Sequence, residues 1–273
     1  MGRIDFSKDE LKSLSVLIKN VADRTFPDLL RALLGRKLKF STFLIVIYSK
    51  DQAPEAVFHW IPDQTLDAIY ESQYLAGSYF LDPFYQLSLG SFTENAHRLS
   101  DFAPDRFFSS EYYRQYYEAT ALKDEVGFLS RLSETSVAQL SVSRSTAEQH
   151  FDRRDLRMLD AMAPLLCQLL HMHCEWFSQR EMNNPAQPES PQELDLVIYK
   201  YAKKHLEPGL TKKEALVTSL ILLGHSSPSA SLILGISPAT TKVHRRNIYR
   251  KLNISSQAQL FAIFSSAFSE AAD

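Results

Sequence analysis

Cysteine, glycine and long apolar runs are all scarce in this chain. Its 273 residues include only two cysteines, Cys167 and Cys174, too few for a disulfide framework. Eight glycines supply no phosphate-cradling loop, and the serine-rich stretches lack the strand–Gly-x-Ser-x-Gly context of a hydrolase. The clustered acids and downstream lysine of a phosphoacceptor receiver are missing as well. No apolar run approaches the ~18–20 residues that span a bilayer, and no N-terminal segment joins a basic flank, an apolar core and a cleavage site. The chain therefore reads as cytoplasmic, with no membrane partner. Cys167 and Cys174 fall on one face of a long helix with His171 and His173 nearby, but zinc prefers four ligands at tighter spacing, so a buried structural role is expected and no metal or cofactor is called for. No catalytic set assembles, and an enzyme is not expected.

What is present is an uneven distribution of charge. The chain has 30 Lys+Arg against 32 Asp+Glu, which at face value disfavours a nucleic-acid partner. Its length suggests two domains. Ser178–Gln192 is poor in apolar residues and carries Pro185, Pro188 and Pro191, the composition of an extended linker. Residues 1–191 hold 20 basic and 26 acidic residues, net −6, and residues 192–273 hold 10 and 6, net +4. Such asymmetry points to nucleic acid. The expected organisation is a sensor or ligand-binding domain over residues 1–177, a linker over 178–192 and a DNA-binding domain over 193–273.

Four helices are expected in the basic piece. Thr211 is an N-cap, with Glu214 completing a capping box before Ala215–Leu223, and Gly224 stops that helix. Ser226 or Ser227 caps a short second helix with Pro228 in its first turn, ending at Gly235. Ser237 caps a third, with Pro238 where a missing N–H costs nothing, and Ser255 or Ser256 opens a fourth over Gln257–Phe268. Helix, tight turn, helix is the arrangement of a helix-turn-helix. On the third helix Thr241, His244, Ile248 and Leu252 form one stripe. Lys242, Val243, Arg246 and Arg250 share the opposite face, flanked by Arg245 and Lys251. This suits the major groove of double-stranded DNA: Lys242 and Arg246 would donate to guanine O6 and N7, and Val243 would meet a thymine methyl. Thr240, Arg245, Arg250 and Lys251 would meet the backbone. The alternative is an ordinary basic surface helix.

The run Leu210–Ser256 resembles the LuxR-type, or GerE-like, helix-turn-helix family. The matching residues are Leu210, Thr211, Glu214, Gly224, Ser226, Ile236, Ser237, Thr240, Lys242, His244, Asn247, Ile248, Lys251 and Leu252. The family's base-reading positions fall on Lys242, Val243 and Arg246. Departures lie at Ser227, Pro228, Ser229, Ala230 and Ser231, where the family reads Asn-Lys-Glu-Ile-Ala, and at Thr241, usually Val. Both remove apolar surface from the module's core. The resemblance implies a transcription regulator that binds DNA as a homodimer, with Leu260, Phe261, Ile263 and Phe264 on the last helix as candidate partner-facing residues; independently of it, the long helix Arg153–Phe177 is another dimer candidate.

In the acidic piece, Leu11–Leu34 reads as helical and broken by Pro27. Thr42–Tyr48 and Ala56–Trp60 read as strands, Gln64–Leu75 and Pro83–Leu89 as helices, and His97–Asp101 as a short strand. Ser109–Thr120 reads as a Tyr-rich helix, Val126–Leu132 and Val137–Arg144 as a hairpin around Glu134-Thr135, and Arg153–Phe177 as a long helix. The fold class is α+β: an α/β/α sandwich of PAS/GAF-like kind on an antiparallel sheet, followed by an all-α four-helix helix-turn-helix domain. The element order resembles the signal-binding domain of LuxR-type regulators, through Asp82-Pro83 after a Tyr-bearing helix, Gly127 opening a strand, and Ser141 and Ser143 on a later one. In acyl-homoserine-lactone receptors the Asp accepts from the ligand amide while a Trp and a Tyr hold its carbonyls. Here the Trp before Asp-Pro is absent, Tyr70 and Tyr74 are each one residue out of the expected spacing, and His97 lies near the second Trp position.

A standard acyl-homoserine-lactone site is therefore not expected. Candidate ligand residues are Tyr70, Tyr74, Asp82, Phe84, Tyr85 and Ser143, within a group that adds Tyr79 and Phe80, with Tyr112, Tyr113, Tyr116 and Tyr117 as a second group. Aromatic faces around one carboxylate suit a small-molecule signal with an amine or amide. The alternative is that the rings are core and Asp82 caps the helix starting at Pro83, leaving the domain a ligand-free dimerisation or protein-interaction module.

Overall fold

The computed structural model describes residues 7–49, 52–181 and 193–272. In chain order the regular elements are α1 (Lys8–Lys19), α2 (Phe26–Gly35), β1 (Thr42–Ser49), β2 (Glu55–Trp60), α3 (Gln64–Ile69), α4 (Pro83–Ser88), β3 (Ala96–Arg98) and α5 (Leu99–Phe102). These are followed by β4 (Leu122–Arg131), β5 (Ser136–Ser145), α6 (Arg153–Glu181), α7 (Leu194–His205), α8 (Lys212–Leu222), α9 (Ser227–Leu234), α10 (Pro238–Lys251) and α11 (Gln257–Ala272). The chain divides into two compact units that interleave along the sequence. One holds Met1–Asp67, Leu87–Asp101 and Ala121–Glu189; the other holds Ala68–Gln86, Phe102–Thr120 and Ser190–Asp273.

The first unit is built on a five-stranded antiparallel sheet of order β2-β1-β5-β4-β3. Alternation of side chains along a strand puts Phe43, Ile45 and Ile47 of β1, Val126 and Phe128 of β4, and Ala138, Leu140 and Val142 of β5 into one core with α2 and α6. That core takes in Phe26, Leu30 and Leu34 from α2 and Leu159, Met162, Leu166 and Leu170 from α6. Truncating a wholly buried ring such as Phe128 to alanine costs about 3–5 kcal/mol. The alternate residues Val46, Tyr48, Gln139, Ser141 and Ser143 are buried too, and the Tyr48 hydroxyl donates to Gln139 Oε1 at 2.5 Å. Arg98 grips Asp124 with two donors at 3.0 and 2.6 Å, fixing β3 to β4, and the Phe151 N–H reaches the same carboxylate at 2.8 Å. Cys167 and Cys174 are both buried in this core. Among the described residues no cluster of His, Cys, Asp and Glu forms a metal site, and no helix is long and apolar enough to cross a membrane.

Several boundaries differ from those read in the sequence. Pro27 does not break a helix but sits in the first turn of α2, where its absent N–H has no partner to lose; the break is the turn before it. Ala96–Arg98 is a strand, but it passes directly into α5 at Leu99. Ser178 belongs to α6, which runs on to Glu181, and the rest of the expected linker, 182–192, lies outside the described residues. The two tyrosine-bearing helices contain π turns, Tyr70–Tyr74 and Tyr113–Glu118. In the second unit the four expected C-terminal helices are joined by a fifth, α7, whose Leu194, Val197, Ile198 and Ala202 are buried. Leu260, Phe261 and Phe264, expected to face a partner, are instead buried in their own chain: α11 packs on α7 and α8, with Phe264 edge-on to Tyr201 at 5.9 Å.

Candidate nucleic-acid interface

Short-range polar contacts set the helix-turn-helix. The Thr211 N–H donates to Glu214 Oε2 at 2.8 Å and the Glu214 N–H to Thr211 Oγ1 at 3.2 Å, so two otherwise orphaned donors at the start of α8 are satisfied reciprocally. Ser226 caps α9 through the Ser229 N–H at 3.2 Å, and α9 stops at Gly235. Ser237 caps α10 through the Thr240 N–H at 3.0 Å, with Pro238 in the first turn. The far end of α10 is tied back to α8, since Lys251 Nζ lies 2.8 Å from Glu214 Oε2. Desolvation raises the Glu214 carboxyl, but the Lys251 ammonium and the Thr211 donors outweigh it and hold it below the ordinary range.

These caps fix the rotation of α10. Thr241 and Ile248 are buried, and the Thr241 hydroxyl, at the position where the resembling family usually has Val, is satisfied by the Ser237 carbonyl at 3.3 Å. Thr240, Lys242, Val243, Arg246 and Arg250 are exposed, Val243 at 44%. Residues 242, 246 and 250 recur every fourth position, so three cations form one row along the helix with Val243 beside them. Arg245 and Lys251 are half-buried. The Arg245 guanidinium lies 5.3 Å from the centre of the Tyr249 ring and donates to its hydroxyl at 3.1 Å, contacts that hold the side chain along the helix. Arg250 donates to Asn247 Oδ1 at 3.1 Å.

The structure brings five of the six candidate ligand residues together in the same unit. Tyr74 donates its hydroxyl to Asp82 Oδ2 at 2.5 Å, and the Phe84 N–H donates to Asp82 Oδ1 at 2.8 Å. Desolvation pushes the Asp82 carboxyl up to about 6, against the downward pull of these two bonds. Tyr70 stacks on Tyr74 with centroids 5.3 Å apart, Tyr74 meets Tyr116 at 5.5 Å, Phe84 stands edge-on to Phe102 at 5.0 Å, and Tyr85 stands edge-on to Tyr79 at 5.0 Å. Burial pushes the Tyr85 phenol up to about 12. The one-residue offset of Tyr74 is absorbed by its π turn, closed by the Leu75 N–H on the Tyr70 carbonyl at 3.2 Å, because a wider turn rephases every following side chain. Ser143 lies in the other unit, on β5, in register with Thr42 and Glu125. His97 is at the sheet edge, its Nε2 2.7 Å from the Thr93 carbonyl.

Sequence reasoning missed α7, and it missed that residues 68–86 and 102–120 belong to the unit of the helix-turn-helix. The first had a signal, an apolar stripe at helical spacing. The second had none, because its contacts join distant positions.

The family "Bacterial regulatory proteins, luxR family" matches residues 208–264, from just before α8 into α11. The "Putative HTH-type transcriptional regulator in exeN 3'region" of Aeromonas salmonicida is 27% identical over 183 residues, covering 67% of this chain and 92% of that protein. The response regulator TodT of Pseudomonas putida is 43% identical over 54 residues, 20% of this chain, and the match spans only 24% of TodT. The VqsR LBD domain of Pseudomonas aeruginosa shares the fold at a TM-score of 0.54 and 22% identity, covering 62% of this chain and 99% of that one. Residues 208–264 thus match the helix-turn-helix of the luxR family of bacterial regulatory proteins, and two thirds of the chain is similar to a protein named as a transcriptional regulator of the HTH type.

Proposed function

We propose that the chain recognises a specific double-stranded DNA sequence as a homodimer, and that a small-molecule signal acting at the aromatic cluster around Asp82 controls it. The observation that carries the DNA reading is the face of α10: Lys242, Val243, Arg246 and Arg250 stand in solvent while Thr241 and Ile248 are buried. Lys242 and Arg246 read guanine edges, Val243 reads a thymine methyl, and Thr240, Arg245, Arg250 and Lys251 hold the backbone. Lys251 does so only in part, since Glu214 already engages it. With α11 packed inward, the remaining dimer candidate is α6, on which Met172 is 41% exposed. A dimer would engage two half-sites about 34 Å apart.

The signal reading rests on the composition of the cluster, rings around one buried carboxylate, which suits a ligand carrying an amine or amide in place of the Tyr74 hydroxyl. A second reading has its own support: Asp82 already accepts from Tyr74 and from the Phe84 N–H, as a helix cap in a ligand-free module would. Two measurements decide. Selection of duplexes from a random library should yield a consensus that the Lys242→Ala, Arg246→Ala double variant no longer prefers, and an unchanged preference would refute the role of α10. Native mass spectrometry of the protein expressed in producing-cell extracts should show a dimer with added ligand mass; a dimer at bare mass supports the ligand-free reading, and a monomer refutes the homodimer.

A further inference from the structure

The turn between α8 and α9 is gripped by a segment from far upstream. The Asp105 carboxylate accepts from the Ser226 backbone N–H at 2.9 Å, and the Arg106 N–H donates to the Gly224 carbonyl at 2.9 Å. Phe107, wholly buried, lies so near Gly224 that a Cβ there would stand 2.8 Å from Phe107 Cα, at a φ of +93°. Only glycine accepts both the backbone angle and the approach. The same unit holds α11 at a second place. Phe80 packs on Phe268 with centroids 6.4 Å apart, and a Cβ on Gly77 would fall 2.3 Å from the Phe268 carbonyl oxygen.

These contacts matter because of what they touch. Ser226 is the cap of α9, the helix that in a helix-turn-helix crosses the DNA backbone. A carboxylate seated there takes a donor N–H and places a negative charge beside the end that must approach phosphates. Ring contacts run back from the grip to the candidate signal site: Phe107 to Tyr112 at 6.1 Å, Tyr112 to Tyr116 at 5.6 Å, Tyr116 to Tyr74 at 5.5 Å, and the Tyr74 hydroxyl to Asp82.

We propose that Asp105, Arg106 and Phe107 form an internal clasp on the helix-turn-helix that competes with DNA, and that the rings around Asp82 set how tightly it closes. The clasp rests on the reading of α10 as the DNA-binding helix. By linkage, whatever factor its closure removes from DNA affinity, bound DNA removes from its closure.

The test uses the full chain and a duplex selected by the wild-type protein from a random double-stranded library, with affinity read by fluorescence anisotropy at one salt concentration. Asp105→Ala is expected to bind about fivefold tighter or more. The gain should exceed that of Glu118→Ala, an exposed acid on the same segment, which reports the general effect of removing a negative charge. Hydrogen exchange of the wild-type chain supplies a reading independent of any variant: the Arg106 amide should lose protection when saturating duplex is added. An Asp105→Ala affinity no better than that of Glu118→Ala, or an Arg106 amide equally protected with and without duplex, overturns the clasp. If Lys242→Ala still weakens binding in that case, the DNA reading stands without it. A wild-type chain that retains no duplex at all would remove both.

Discussion

Lys251 and Glu214 face each other across 2.8 Å, the last turn of α10 against the first turn of α8. Glu214 also closes the capping box with Thr211, so one carboxylate holds both a helix start and a helix–helix junction. Glu214→Ala is expected to cost about 1–2 kcal/mol, measured by urea denaturation, and Lys251→Met less, since the capping box survives it. Because the folded-state carboxyl lies below its ordinary value, its contribution is complete above the ordinary glutamate range and is lost as the pH falls through the lower value. Urea midpoints followed between about pH 3 and 7 should show a shallower acid-side decline in Glu214→Gln.

Arg250 and Lys242 should fail in different ways. A phosphate contact carries no sequence information, so Arg250→Gln should weaken all duplexes alike and reduce the slope of log affinity against log salt by about 0.9. Lys242→Ala should cost about 1–3 kcal/mol on the preferred duplex and relax the preference at one position. A salt series on preferred and scrambled duplexes separates the two.

Asp82 gives a pH dependence of opposite sign to that of Glu214. Its folded-state value, raised from 3.8 to about 6, means the folded chain holds this proton over a range where the unfolded chain has lost it. Stability on this account falls as the pH rises from the ordinary aspartate value to about 6 and is level above. Asp82→Asn keeps an oxygen for the Phe84 N–H and should abolish that fall, read from thermal melts on both sides of the window. Tyr74→Phe removes a donor from a buried carboxylate and should cost about 1–3 kcal/mol.

Cys167 and Cys174 should be inert while the first unit is folded. Both are buried, and desolvation pushes the Cys167 thiol up to about 12 and the Cys174 thiol higher still, so almost no thiolate is present near neutral pH. A chromogenic disulfide reagent should react with neither under native conditions and with both in denaturant.

Much of the helix-turn-helix was legible because its determinants are local. Ser226, Ser237 and Thr211 each act on a residue three positions on, and the cations of α10 recur at one helical period. Strand β1 was legible as a short run of apolar and β-branched residues, Thr42–Tyr48, and Asp82 from the pair it forms with Pro83. The π turns were not, since an added residue defeats a period of 3.6 and leaves Tyr74 looking misplaced when it is in reach of Asp82. Helix α7 has its apolar stripe, but Glu193 makes no side-chain cap bond to mark its start. The apolar residues of α11 were recognised, yet a sequence does not say whether such a stripe faces its own chain or another. Asp105 and Ser226 stand 121 positions apart, and nothing near either residue announces the other.

The interleaving of the two units bears on how the protein is made. A ribosome delivers residues 68–86 and 102–120 long before α7–α11, so these tyrosine-rich stretches must wait for partners that do not yet exist. The sheet unit has all its strands once β5 has emerged, but the second unit closes only when the last helix is released. Its pairings span most of the chain, which makes them slow to form and leaves aromatic surface open to chaperones or to aggregation in the interval. A fragment cut between α6 and α7 would likewise divide the second unit, leaving Ala68–Gln86 and Phe102–Thr120 on one side of the cut and its C-terminal helices on the other.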